Sequence, residues 1–140
     1  MTDYVIDASA AMSWLLGSQA TVASGDFILR RTDEDRLVAP YILSWELNNG
    51  LLALTRRRGL ATNAYSEAIS QIGDLHIEIL AAPTSTEFTE ILEVAGEVGL
   101  SLFDTAYLLV ALNTNATLIS RDAALLTVAQ RRGVTCLDLR

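Results

Sequence analysis

The sequence predicts an α/β fold: one domain over residues 1–140 with a central, mainly parallel sheet flanked by helices. Strand-like and helix-like segments alternate along the whole chain, the pattern of βα units rather than of separate sheet and helix regions. The length of 140 residues suits a single core, and a chain of this size buries about two-thirds of its unfolded surface. A hydrophobic share of 51%, with only 8 Gly and 2 Pro, describes a continuous globular chain without repeat, linker or disordered tail.

The first strand is expected near 3–7, where the apolar run Tyr4-Val5-Ile6 ends at Asp7. Helices follow near 9–16 and 19–31. Signals between 17 and 36 are mixed, because Gly17, Gly25 and the charged segment Thr32-Asp33-Glu34-Asp35-Arg36 interrupt the pattern. A short strand near 37–39 leads to a helix over 41–58, in which Leu43, Leu47, Leu51 and Leu54 recur at helical spacing. Gly59 would stop that helix after three Arg residues, and Thr62 would cap the next, over 62–73. His76 is expected to begin a strand over 76–80 and to be structural. A helix over 85–98 precedes one over 102–113, which Ser101 would cap in a capping-box pattern with Asp104. The strand 117–120, the helix 123–132 closed by Gly133, and the strand 135–139 complete the pattern. Trp14 and Trp45 occupy helical positions suited to core or subunit packing.

Net charge is -7, and every basic residue is Arg. Phosphate binding usually needs a basic footprint, and Arg56, Arg57 and Arg58 form the only dense basic run. A triplet at a helix end is most simply a solvated surface that complements the helix dipole. The lone Cys136 excludes an internal disulfide and a cysteine-based zinc cage. No apolar run reaches the roughly 18 residues that span a bilayer. The opening Met1-Thr2-Asp3-Tyr4-Val5 has neither a basic leader nor a cleavage site, so a cytoplasmic protein is expected.

Four acids stand at the edges of apolar runs: Asp7 after the first strand, Glu46 within Leu43-Ser44-Trp45-Glu46-Leu47, Asp104 at the head of a nearly uncharged stretch, and Asp122 after Thr117-Leu118-Ile119-Ser120. Asp7 and Asp122 also fit as helix N-caps. Ligands of open parallel sheets bind outside the carboxyl ends of the strands, where Asp7 and Asp122 fall and which Glu46 and Asp104 can reach. Desolvated, converging carboxylates repel one another unless a cation compensates them. Hard oxygen donors without His or Cys favour Mg2+ or Mn2+ over zinc. One ion would lower the pKa of a water and a second would neutralise a leaving oxygen, the chemistry of phosphodiester hydrolysis. Asp7, Asp104 and Asp122 are the expected ligands, and Glu46 a ligand or the acceptor of the water's proton. Ser9 and Ser120 would donate to Asp7 and Asp122 or simply cap helices, and Asn49 would orient Glu46 or a bound water.

The segments Val5-Ile6-Asp7-Ala8-Ser9-Ala10, Ser44-Trp45-Glu46-Leu47-Asn48-Asn49-Gly50-Leu51, Leu102-Phe103-Asp104-Thr105-Ala106-Tyr107 and Leu118-Ile119-Ser120-Arg121-Asp122-Ala123-Ala124-Leu125 together resemble the PIN-domain ribonucleases, especially VapC-type toxins. That resemblance implies a PIN-like domain with Asp7, Glu46, Asp104 and Asp122 as its acidic quartet and Ser9, Asn49 and Ser120 at the supporting polar positions. It further implies Mg2+ or Mn2+, an RNA substrate, a homodimer and a cognate antitoxin. A receiver-like phosphoacceptor would need a strand-end Lys, and the chain has none. Aspartyl phosphatases need an Asp-x-Asp pair after the first strand, and no Gly-rich phosphate loop or nucleophile elbow is present. An inactive PIN-like binding module is the alternative, and the intact quartet speaks against it.

Overall fold

The strands of the sheet are short and all parallel. In the computed structural model, which describes residues 2–16, 19–58 and 62–140, β1 (Asp3–Ile6), β2 (Arg36–Ala39), β3 (Glu78–Ile79), β4 (Thr117–Ser120) and β5 (Cys136–Asp138) line up in the order β3-β2-β1-β4-β5. Val5 pairs with Val38 on one side and Leu118 on the other, so β1 is central. Consecutive Val5 and Ile6 are both fully buried, as are Leu118 and Ile119. Burial of neighbours whose side chains point to opposite faces means that helices cover both faces of the sheet, which parallel strands require.

Seven helices are described: α1 (Ala8–Leu15), α2 (Val22–Arg30), α3 (Ile42–Arg58), α4 (Thr62–Asp74), α5 (Ser85–Val98), α6 (Leu102–Thr114) and α7 (Ala123–Arg131). α1 packs with α2, α3 and α4, whereas α6 packs with α5 and α7 and against β1 and β4. The ends follow local chemistry. Asp7, Ser101 and Asp122 cap α1, α6 and α7, and Gly133 turns the chain after α7 with φ of +83°. Trp14 joins α1 to α2, stacking on Phe27 at 5.2 Å and donating its indole N–H to the Ser24 carbonyl at 3.0 Å. No single described helix is long and apolar enough to cross a membrane.

Three expectations need correction. α2 starts at Val22 rather than 19, because Thr21 and Ser24 form a reciprocal capping box that fixes the start. The strand expected over 76–80 shrinks to Glu78–Ile79 and does not begin at His76. The Leu75 and His76 amides donate back to Ile72 and Gly73 at 3.0 and 3.1 Å, holding His76 in a turn with φ of +53°. Trp45 is 66% exposed, so of the core and subunit packing expected for it the core is ruled out. The stop predicted at Gly59 lies outside the described residues, as does the Thr62 side chain; α4 does begin at Thr62. Arg56 and Arg57 are exposed.

Candidate metal centre

Because the chain runs outward from β1 to β3 on one side and returns to place β4 and β5 on the other, the order of strand addition reverses between β1 and β4. A crevice opens at the carboxyl end of such a switch point, the usual ligand site of open parallel sheets. Asp7 leaves β1 on one side of it and Asp122 follows β4 on the other, with the Asp7 amide still donating to the Ile119 carbonyl at 3.3 Å.

Asp7 is 4% exposed and held by three donors. Oδ1 accepts the Ala10 amide at 2.8 Å and the Ser9 hydroxyl at 2.7 Å, and Oδ2 accepts the Ser120 hydroxyl. Each of these serines spends its single proton on Asp7 and uses its oxygen to accept an amide of the turn between β4 and α7. Ser9 Oγ accepts from Arg121 at 2.9 Å and Ser120 Oγ from Asp122 at 2.9 Å. The pair therefore ties the β1–α1 turn to the β4–α7 turn. Ser120 thus donates to Asp7 and accepts the Asp122 amide, a link to both acids. Asp122 itself caps α7 through the Leu125 amide at 3.0 Å, so capping and membership of the site coexist at both Asp7 and Asp122.

Asp104 sits in the first turn of α6, where its amide donates to the Ser101 hydroxyl at 3.1 Å. Glu46, early in α3, accepts the Tyr107 hydroxyl at 2.9 Å on Oε1. Tyr107 is 1% exposed and lies one turn beyond Asp104 on α6. No sequence motif marks the meeting of the Tyr107 phenol with Glu46; the three-residue spacing from Asp104, which puts Tyr107 on the same helix face, is the one signal that points toward it. Asn49, expected to orient Glu46 or a bound water, is exposed, and the described hydrogen bond to the Glu46 carboxylate comes from Tyr107 on α6.

The four acids share one electrostatic field. Burial raises the Asp7 carboxyl above its ordinary range; the Ser120, Ala10 and Ser9 donors oppose this, and the charge of Asp104 adds to it. Burial likewise raises Glu46 against the Tyr107 hydrogen bond, with Asp104 and Asp7 raising it further. Asp104 is raised by burial and by Asp122. The Tyr107 phenol is pushed up, first by burial and then by Glu46, Asp7 and Asp104, so it remains a proton donor. Among the described residues, no Arg or His side chain forms an ion pair with any of the four acids.

This donor set fits a hard divalent cation: four carboxylates, no His or Cys among them, and like charges that a cation would relieve. Among the described residues, no group of three acidic, His or Cys side chains is close enough to enclose an ion as it stands.

A family model described as PIN domain matches residues 4–131. The chain belongs to the PIN-domain family. PIN domains are generally nucleases. No curated protein matches the chain. Among solved structures, the fold is similar to PAE2754 from Pyrobaculum aerophilum, with a TM-score of 0.69 at 22% identity over 97% of this chain and 91% of that one. It is similar to FitAcB from Neisseria gonorrhoeae, with a TM-score of 0.65 at 16% identity over 96% of each chain. It is also similar to VapBC2 from Rickettsia felis, bound to a DNA fragment from their promoter, with a TM-score of 0.63 at 12% identity over 99% of this chain and all of that one. These likenesses concern the PIN fold itself, the frame on which the quartet is mounted.

Proposed function

We propose that this PIN domain is a Mg2+- or Mn2+-dependent endoribonuclease and the toxin of a toxin–antitoxin pair. The observation that carries the reading is that Asp7, Glu46, Asp104 and Asp122 bear on one another's charge around the β1–β4 switch point, where burial and mutual repulsion raise three of them and no described basic side chain pairs with any. A structural role alone would leave that repulsion uncompensated.

Asp7, Asp104 and Asp122 would hold the cation directly or through water, and Glu46 would ligate it or take the proton of the attacking water. The bound cation would supply an acidified water and charge neutralisation at the leaving oxygen. Asp7 contributes a carboxylate whose direction is fixed by three donors. Glu46 contributes the longer side chain, steadied through one oxygen. Single-stranded RNA is the proposed substrate.

A cognate antitoxin is the proposed partner, a reading favoured by the fold's similarity to VapBC2 and to VapBC-1 from nontypeable Haemophilus influenzae. A second copy of the chain is proposed to cover the apolar recess between Tyr41, Phe88 and Phe103, all partly exposed. Sedimentation would then give twice the chain mass, and a single-chain mass at micromolar concentration would exclude the dimer.

The decisive variant is Asp104→Asn, which keeps the side-chain shape and removes a charge. Expressed without a partner, the wild type should arrest growth and, when purified with Mn2+, cleave single-stranded RNA. Asp104→Asn should do neither, with a rate loss of at least about 100-fold. Equal cleavage by wild type and variant would overturn the assignment.

A further inference from the structure

The supports of the four acids are unequal. Asp7 is gripped by three donors, and Asp122 is fixed by capping α7. Glu46 has the most rotatable bonds of the four, and its only hydrogen-bond donor among the described residues is a phenol 61 positions away in sequence. That phenol belongs to the largest of the fully buried side chains. A buried Tyr hydroxyl needs an acceptor. Three carboxylates bear on this one electrostatically, but it has a single proton. Asp7 is already held by three donors, and the phenol meets Glu46, linking α6 to α3 across the site.

The geometry points to Tyr107 as the positioning residue of the metal centre: its hydroxyl anchors Glu46 by one oxygen and leaves the other for a cation or its water. This rests on the nuclease reading above and adds to it a residue that touches neither RNA nor metal. Nearly all of the ring is inside the core, so Tyr107 acts only through Glu46. Its loss should therefore affect metal affinity and turnover more than RNA binding. Partners that orient metal ligands typically contribute 10–100-fold to metal affinity or activity.

The test is a double-mutant cycle of Tyr107→Phe and Glu46→Gln, read by Mn2+ calorimetry on the metal-free protein and by kcat and KM on a single-stranded RNA oligonucleotide. Tyr107→Phe retains the ring that fills the core, and its metal-free form should melt within a few degrees of the wild type. It should bind Mn2+ about 10–100-fold more weakly and lose kcat with KM little changed. In the Glu46→Gln background the same substitution should alter Mn2+ affinity less than about twofold, because the carboxylate it positions is gone. Wild-type Mn2+ affinity in Tyr107→Phe would overturn the positioning role while leaving the nuclease reading intact. Equal losses in both backgrounds would also overturn it, showing a general packing effect. A wild type that binds no Mn2+ would overturn both readings.

Discussion

At the residue scale, the site is a set of carboxylates held at a cost. Asp7, Glu46 and Asp104 all have folded-state pKa values above their ordinary ones, chiefly through burial. The folded metal-free protein therefore binds protons at these positions more readily than the unfolded chain. The stabilisation by protonation is fully present below the ordinary carboxyl range near 4 and is lost as pH rises through the raised folded values. Asp104→Asn mimics the protonated acid, so without metal it should melt with the wild type below about pH 4 and above it at pH 7. Thermal melts across that range in chelator check this, and a difference independent of pH would contradict it. The candidate acids were legible from sequence because each lies at the end of an apolar run. Tyr107–Glu46 was not, since it depends on how α3 and α6 pack, a contact no local pattern encodes. Core and subunit packing could not be told apart for Trp45 for a related reason: helical spacing places it on α3 but does not say which face the domain's own core covers.

At the element scale, what matters is how helix starts aim side chains. α5 ends at Gly99 with φ of +73° and α6 begins two residues later at the Ser101 cap, a tight reversal that sets the direction of the Asp104 turn. Thr84 caps α5 with a reciprocal box to Glu87, away from the quartet. Ser101→Ala and Thr84→Ala should each cost about 1 kcal/mol of stability, yet only Ser101→Ala should also weaken Mn2+ binding. Chemical denaturation and calorimetry on the two variants would check this. Equal Mn2+ affinity in both would mean that the cap serves the helix alone. Caps were the most legible feature of the elements: Asp7, Ser101, Asp122 and Gly133 act where their chemistry predicts, although Ser101 caps α6 without the reciprocal Asp104 bond of the expected capping box. The weakest was β3, because His76 adopts a left-handed turn fixed by hydrogen bonds to the end of α4, a local outcome that apolar patterning cannot anticipate.

At the scale of the whole molecule, the alternation of strand and helix was enough to indicate a parallel α/β domain, and the order β3-β2-β1-β4-β5 gives that architecture its functional consequence. The order itself was not readable in the sequence, since crossover direction is settled by packing on two faces of the sheet. By returning to the far side of β1, the chain places the ends of β1 and β4 side by side and brings together four acids that are dispersed over more than 110 positions in sequence. Similarity to PAE2754 at only 22% identity shows how little of the sequence this frame needs. The central claim is that these acids form one cation site, and anomalous scattering at the manganese edge from crystals soaked in Mn2+ tests it most directly. We expect a peak in the β1–β4 crevice, about 2.0–2.3 Å from oxygens of Asp7, Asp104 or Asp122 or bridged to them by water. Crystals saturated with Mn2+ that show no peak there would contradict the claim and leave the four acids as helix caps and surface charge.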